Sequence, residues 1–260
     1  MPFVDVGDGR LWYEEEGRGP AVFFLHTSLV DSRMWEPQMA SFARRYRAIR
    51  VDARGWGRSE PPHGPWSPVD DLLGSLAALG LDRAALEGAS MGGCTAIDVA
   101  LASPSVVSAL VLVGATVGGF DAWGDELPQM WEEQEAALAL GDRGRAHQLE
   151  LDYWIRPGLG DESARVIREL ADENIHVWDI DEDLVRRLQG AIDRLDRIEV
   201  PTLVVIPEND CQPIKSCGDL IASRIPRARR ITVPGDHHPN LRDPHAFDGA
   251  VLGFLNEVLT

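Results

Sequence analysis

The feature that most constrains the fold of this chain is a series of short apolar runs separated by stretches with helical periodicity. Runs of this kind are typical of parallel strands that crossover helices bury on both faces. Six runs read as strands: residues 21–25, 48–51, 84–87, 109–113, 202–206 and 230–233. Apolar residues recur at helical spacing in 67–79 and in 90–101. The sequence therefore predicts an α/β fold with a mostly parallel central sheet and helices on both faces.

The stretch from residue 121 to residue 192 breaks this alternation. It is rich in Glu, Asp, Leu and Trp and reads as mainly helical, with Pro128 in the first turn of a helix that ends at Gly141. A chain of 260 residues is long enough for one domain that carries an inserted lid. We therefore expect residues 1–120 and 193–260 to form the core, and residues 121–192 to form a helical cap.

Large side chains are concentrated in the predicted cap: Trp123, Met130, Trp131, Tyr153, Trp154 and Trp178. Ligand pockets are mostly apolar, so some of these side chains could roof an aromatic or alicyclic substrate. Packing of one cap helix against another uses the same residue types. The sequence leaves both interpretations open for each residue.

The charge of the chain excludes several classes of partner. Its formal net charge of −17 repels the phosphates of nucleic acids and the anionic head groups of membranes. A small molecule, neutral or largely apolar, is therefore the predicted substrate. A homodimer is compatible with the sequence, which does not fix the oligomeric state.

Cysteine content and the first residues indicate the compartment. Three cysteines, an odd number, argue against a disulfide framework. Residues 1–17 carry acidic side chains where a signal peptide carries basic ones, and no stretch is long and apolar enough to span a bilayer. We expect a cytoplasmic protein.

The strongest local signal is a serine between a predicted strand and a predicted helix. Gly88, Ser90 and Gly92 form the pattern Gly-x-Ser-x-Gly. In a nucleophile elbow this pattern makes a sharp, strained turn that exposes the serine oxygen above the sheet. The helix that follows favours negative charge at its first N–H groups. Ser90 is therefore the predicted nucleophile.

With this motif and three further stretches, the chain resembles the α/β-hydrolase family over nearly its whole length. Residues 51–59 (VDARGWGRS) are similar to the family's strand-end turn, and residues 201–205 (PTLVV) to the strand before its acid. Residues 237–244 (HHPNLRDP) resemble its C-terminal histidine motif. The resemblance implies a Ser-His-Asp triad.

The base of such a triad must have a pKa near working pH, which histidine provides. Matching the family's His-x-Pro-x-Leu-x-x-Pro register selects His237, and we expect the adjacent His238 at the pocket edge or on the surface. Other histidines lie in stretches that read as exposed: His63, His147 and His245.

The acid must orient the imidazole and stabilise its charged form. Asp210 follows the strand at 202–206, where the resemblance places the acid, and the order serine, aspartate, histidine is that of the family. Asp236 and Glu208 are rivals by sequence position. Pro207 stands where family members usually have Gly, so the path of this loop could differ.

The oxyanion hole needs two N–H donors. One is expected from Met91, directly after the serine, and the other from the loop after the strand at 21–25. This loop has His-Thr where the family commonly has His-Gly. Ser28 is the predicted second donor, with Thr27 as the alternative, and His26 is expected to brace the loop.

A narrower likeness covers residues 26–38, which resemble the corresponding stretch of 3-oxoadipate enol-lactonases in the pattern Asp-x-Arg-Met-Trp-x-Pro-Gln. This points to esters or lactones. Arg33, Met34 and Trp35 could equally pack the first helix onto the sheet.

Together these features predict hydrolysis of a carboxylic ester or lactone through an acyl-enzyme intermediate, without metal or organic cofactor. The same frame could run carbon–carbon bond hydrolysis or peracid formation, since a fold does not dictate chemistry. The remaining alternative is a ligand-binding protein that kept the fold and lost turnover. The complete set of triad candidates argues against it.

Overall fold

An eight-stranded sheet forms the centre of the protein in a computed structural model that describes residues 2–155 and 161–259. In chain order the strands are β1 (Phe3–Val6), β2 (Gly9–Gly17), β3 (Ala21–Leu25), β4 (Arg47–Val51), β5 (Ala84–Ala89), β6 (Val107–Val113), β7 (Thr202–Pro207) and β8 (Ala228–Val233). They lie in the order β1-β2-β4-β3-β5-β6-β7-β8. Strands β3 to β8 pair in parallel, and β1 and β2 pair antiparallel with their neighbours. The predicted α/β fold with a mostly parallel sheet is confirmed.

The two antiparallel strands, β1 and β2, were not among the predicted strands. Strand β2 buries Leu11 and Trp12 but exposes most of its other side chains. It therefore lacks the continuous apolar run that marks a strand covered on both faces. An apolar-run criterion misses strands of this kind.

Helices cover both faces of the sheet. The helices of the described residues are α1 (Glu36–Phe42), α2 (Pro68–Ala78), α3 (Met91–Ala102), α4 (Glu126–Ala139), α5 (Arg143–Trp154), α6 (Asp161–Glu173), α7 (Gln212–Arg224), α8 (Pro239–Arg242) and α9 (Pro244–Val258). Phe23 of β3 packs in the core with α2, α3 and α7, and Phe24 packs in the core with α1 and α9. Burial of one such side chain stabilises the fold by about 1.5–3 kcal/mol.

Between β6 and β7 the described residues form α4, α5, α6 and several 3-10 turns, and none of them joins the sheet. Helix α4 contains Pro128 in its first turn and ends before Gly141, whose φ is 74°. We call residues 121–192 the cap segment. Residues 156–160 of that predicted unit lie outside the described residues, and its division from the core stays a prediction.

A buried asparagine ties the cap segment to two loops of the core. Asn174 donates to Asp31 Oδ2 (2.9 Å), in the loop after β3, and its Oδ1 accepts from the N–H of Gly57 (2.7 Å), after β4. Burial raises the pKa of Asp31, but hydrogen bonds from Arg33 and Asn174 outweigh it and lower the pKa to about 2. The carboxylate is therefore charged at neutral pH and can anchor both donors.

No helix among the described residues has the length and apolar character to cross a membrane. The same residues contain no group of three or more His, Cys, Asp or Glu side chains that could hold a metal ion.

Candidate active site

The turn between β5 and α3 has the strained geometry of a nucleophile elbow. Ser90 has φ 50° and ψ −112°, and it is the only described residue other than glycine with a positive φ. A methyl group on Gly88 would overlap the backbone of Gly92, and one on Gly92 would overlap the carbonyl of Leu25. The positive φ of Ser90 costs about 1–3 kcal/mol, and such a conformation persists only where the surrounding structure enforces it. Both glycines of the motif are therefore required sterically.

Hydrogen bonds to neighbouring strands hold this turn in place. The N–H of Ser90 donates to the carbonyl of Val113 (3.0 Å) at the end of β6, and that of Gly92 donates to His26 O (3.1 Å) after β3. Met91 is the first residue of α3, where N–H groups have no acceptor within the helix. Its N–H can therefore serve a ligand beside Ser90.

The predicted base and acid form a buried pair. His237 Nδ1 lies 2.8 Å from Asp210 Oδ2, and Asp210 Oδ1 accepts from the N–H of Cys211 (2.8 Å). Their side chains are only 4% and 2% exposed. Because a carboxylate only accepts, the imidazole carries its proton on Nδ1 and presents a lone pair on Nε2 when it is neutral. This is the tautomer that a general base for a serine needs.

The surroundings of His237 raise its pKa above the ordinary 6.5. Burial alone lowers this pKa, but the charge and hydrogen bond of Asp210 outweigh the burial, and the charges of Asp236 and Glu150 act in the same direction. The protonated imidazole is therefore stabilised inside the protein.

The end of β6 brings this pair next to the elbow. A methyl group on Gly114 would lie 3.1 Å from Asp210 Oδ2 and 3.5 Å from His237 Nδ1. The residue before it, Val113, accepts the hydrogen bond from Ser90. Among the described residues the hydrogen bond of the His237 ring is to Asp210, and none joins it to the Ser90 hydroxyl. In unliganded sites the catalytic hydrogen bond between base and nucleophile is often long. The triad as a working unit therefore stays a prediction.

A cavity of about 460 Å³ opens on Ser90. Met91 and Ser28, the two predicted oxyanion donors, line it as well. Aromatic residues form much of its wall: Trp56, Phe120, Trp123, Trp131 and Trp154. Its size and apolar lining are typical of a small-molecule site.

The large side chains of the cap segment serve both predicted roles. Trp123 and Trp131 line the cavity and also pack against each other, with ring centroids 5.5 Å apart. Trp178 lines an adjoining cavity of about 320 Å³. Met130 is buried, and Tyr153 packs edge-on against Trp154 (4.9 Å). Cap packing and cavity lining are thus combined in one set of residues.

The loop after β3 is braced as expected. His26 Nε2 accepts from the N–H of Ala53 (2.9 Å), and its Nδ1 donates to Thr27 O (2.7 Å). Both ring nitrogens are occupied, so His26 is not available as a base. The carbonyl of Ser28 accepts from Trp56 Nε1 (2.8 Å). Ser28 lines the cavity together with Ser90, and its role as second donor stays a prediction.

The expected exposure of two histidines is wrong. His238 is fully buried, with Nε2 3.5 Å from Thr27 Oγ1. Burial and the neighbouring His237 lower the pKa of His238 to about 3, so it stays neutral. His147 is also buried and lies 2.8 Å from Asp172. Both side chains have polar partners that are distant in sequence, which local composition does not reveal.

The two alternative candidates for the catalytic acid, Asp236 and Glu208, are placed differently from Asp210. Asp236 accepts from Arg242 Nε (3.0 Å) and from the N–H of His238 (3.2 Å), and Glu208 is exposed. Pro207 ends β7 without displacing the aspartate from His237.

The stretch that resembles enol-lactonases serves mainly for packing. Met34 and Trp35 are fully buried, and Trp35 contacts the rings of Phe24 (5.3 Å) and Phe247 (6.2 Å). Arg33 pairs with Asp31 (2.6 Å). The packing interpretation therefore accounts for these residues.

Sequence reasoning missed a contact between the cap segment and the imidazole. The ring of Trp154 stacks on His237 with centroids 4.1 Å apart and an interplanar angle of 28°. Glu150, four residues earlier on α5, accepts from Trp154 Nε1 (3.1 Å). The spacing of i and i+4 on a helix could have suggested this pair, but not the surface that it faces.

Comparisons with known proteins agree with this geometry. A model of the alpha/beta hydrolase family matches residues 22–250. The "Putative carbamate hydrolase RutD" of Azorhizobium caulinodans is 29% identical, with 99% of each chain covered. The 3-oxoadipate enol-lactonase 2 of Acinetobacter baylyi is 24% identical over 89% of this chain and 87% of its own.

A solved structure of a hydrolase from Pseudomonas aeruginosa PA01 is 31% identical, covers 97% of both chains and superposes with a TM-score of 0.79. The predicted resemblance is confirmed, as is the prediction of a hydrolase. Because the family model spans most of the residues and these relatives match over nearly their whole length, the chain belongs to the alpha/beta hydrolase family.

Proposed function

We propose that the protein is a serine hydrolase that cleaves a carboxylic ester or a lactone of a small, largely apolar substrate. The observation that carries this proposal is the buried pair of His237 and Asp210 beside the strained turn of Ser90, where a cavity opens on the serine.

In the first half of the reaction, Ser90 Oγ attacks the carbonyl carbon while His237 Nε2 takes the serine proton. The carbonyl π electrons move to oxygen, and the N–H groups of Met91 and Ser28 stabilise the oxyanion. Each such donor is worth about 10²–10³ in rate. Asp210 holds the imidazolium through Nδ1. When the tetrahedral intermediate collapses, His237 gives the proton to the leaving oxygen, and the acyl group stays on Ser90.

In the second half, water attacks the acyl carbon while His237 Nε2 accepts a proton from it. Collapse of the second intermediate returns that proton to Ser90 Oγ and releases the acid. With a lactone, the leaving oxygen stays tethered to the product. The same catalytic groups act in both halves of the reaction, so a single pair of His237 and Asp210 is sufficient for acylation and for hydrolysis of the acyl-enzyme.

In the proposed enzyme, the cap segment covers the substrate site. Its tryptophans supply apolar surface for a substrate, which supports a largely apolar acyl or alcohol part. The enol-lactonase relative supports a lactone, and the carbamate hydrolase relative makes a carbamate the nearest competing bond.

The test is the Ser90→Ala variant, with Ser223→Ala, an exposed serine on α7, as the matched control. Hydrolysis of p-nitrophenyl acetate should fall by about a thousandfold or more in the first variant and remain unchanged in the second. A fluorophosphonate probe should label the wild type at Ser90. Unchanged turnover in Ser90→Ala contradicts the proposal, and ligand binding without labelling favours a binding protein.

A panel of lactones, nitrophenyl esters, an aryl carbamate and a vinylogous diketone tests the bond class. We expect kcat/KM to be highest for an ester or lactone. A higher value for the carbamate or the diketone would overturn the bond class while leaving the serine assignment standing.

A further inference from the structure

A buried acid of the cap segment lies at the wall of the active-site cavity. Glu150, on α5, is 8% exposed and lines both the cavity that opens on Ser90 and the adjoining one. Its Oε2 accepts from Gln134 Nε2 (3.0 Å) on α4, and its Oε1 accepts from Trp154 Nε1 (3.1 Å). A buried carboxyl needs such partners, because leaving it unpaired is costly.

The indole that Glu150 binds is the one that covers the imidazole. Trp154 lies nearly parallel to His237, with centroids 4.1 Å apart. Asp210 meets the same ring at its Nδ1 edge. The imidazole is thus held at an edge by the core and on a face by the cap segment. An aromatic face against a cationic ring is attractive, and the attraction is stronger where water is excluded.

Three carboxyl groups raise the pKa of His237: Asp210 after β7, Asp236 after β8, and Glu150 on α5. The fourth titratable neighbour, His238, stays neutral inside the core. Only Glu150 belongs to the cap segment, and burial raises its own pKa. Its charged form is favoured when His237 becomes protonated.

We propose that Glu150 is a positioning residue of the hydrolase: from the cap segment, it fixes the Trp154 indole flat against His237, so that the imidazolium formed in each half-reaction is supported on its face. This inference rests on the proposed function and deepens it. It makes the cap segment part of the machinery that activates the serine, besides its role as a roof for the substrate.

The test is a double-mutant cycle. Glu150→Leu removes the acceptor of the indole N–H, and Trp154→Phe keeps a ring but removes the N–H that the acceptor holds. Each single variant should lower kcat for p-nitrophenyl acetate by about tenfold with KM changed less than about twofold, because a small displacement of a catalytic group is felt mainly in the transition state. If Glu150 acts through Trp154, the double variant should also lose about tenfold.

Two further measurements separate positioning from general damage. The rate of fluorophosphonate labelling of Ser90 should fall in parallel with kcat, since it reads serine activation directly. Glu150→Gln retains an oxygen for the indole and should restore most of kcat, while removal of the negative charge should move the acidic limb of the pH profile to lower pH. Glu132→Gln, an exposed residue on α4, is the matched charge control and should change neither.

A loss of about a hundredfold in the double variant, or no loss in either single variant, would overturn the inference. If Glu150→Leu does not fold, Glu150→Met, which keeps the chain length and also removes the acceptor of the indole N–H, takes its place in the cycle, and a loss of about a hundredfold in that double variant also contradicts the proposal. The proposed function is tested independently of this inference. Its test is the Ser90→Ala variant, whose result does not involve the cap segment.

Discussion

Replacement of Glu87 by Gln should raise the free energy of unfolding above that of the wild type, and this difference should grow as the pH rises. Glu87 lies on β5, three residues before Ser90, with its side chain fully buried. Neither carboxyl oxygen has a hydrogen-bond partner among the described residues, and its neighbours across the sheet are Phe24 and Val111. Burial raises the pKa of Glu87 well above the ordinary 4.5, and the charge of Asp248 adds to this effect.

The sign of the pH dependence follows from proton linkage. Because the pKa of Glu87 is higher in the folded than in the unfolded chain, the folded protein retains the proton more strongly between the two values. The contribution of this group to the free energy of unfolding is fully present below about pH 4.5 and declines as the pH rises through the folded-state pKa. The decline is about 1.4 kcal/mol for each pH unit.

Glutamine has the same shape and no proton to lose. The Glu87→Gln variant should match the wild type at pH 4.5 and exceed its free energy of unfolding at pH 7, by about 1.4 kcal/mol for each pH unit between 4.5 and 7 over which the folded protein alone retains the proton on Glu87. For a chain of this size each kcal/mol corresponds to roughly 2–4 °C in Tm.

The assay is urea unfolding of wild type and variant at several pH values from 4.5 to 8. Glu132→Gln, an exposed glutamate, is the control and should follow the wild type throughout. Parallel curves for wild type and Glu87→Gln would refute the reasoning, since they would mean that ionisation of this carboxyl is not linked to folding.

Two predictions concern the base and its acid. Asp210→Asn should retain the fold but lower kcat for a nitrophenyl ester by about 10³–10⁴, because an amide can donate to Nδ1 of His237 and so favour the wrong tautomer; a loss below tenfold would count against Asp210 as the acid. The raised pKa of His237 predicts that kcat/KM falls as the pH drops through a value above 6.5, since only the neutral imidazole can accept the serine proton. A pH profile with its acidic midpoint at or below 6.5 would contradict this expectation.

Much of the candidate site could be predicted because its parts are local in sequence. The elbow needs glycine at 88 and 92 for steric reasons that involve nearby backbone, so the motif appears as contiguous residues. The choice of His237 over His238 followed from motif register. In the structure the imidazole of His237 has a carboxylate partner, whereas the buried imidazole of His238 lies beside the hydroxyl of Thr27. The strands that were predicted are those covered on both faces, where every side chain must be apolar.

Other features depend on contacts between distant segments. Strands β1 and β2 each carry both buried and exposed side chains, and the pairing of β2 with β4 is what makes this hairpin part of the sheet. His147 and His238 look like surface residues until their partners on other elements are known.

The sequence by itself determined the six parallel strands of the sheet, the strained turn at Ser90 and the order of the three predicted catalytic residues, because backbone sterics and burial act on neighbouring residues. Only the tertiary structure decided that the ring of Trp154, whose N–H donates to Glu150, lies on His237. Helical spacing fixes that Glu150 and Trp154 share a face of α5, but the surface that meets that face is set by how the cap segment packs on the core.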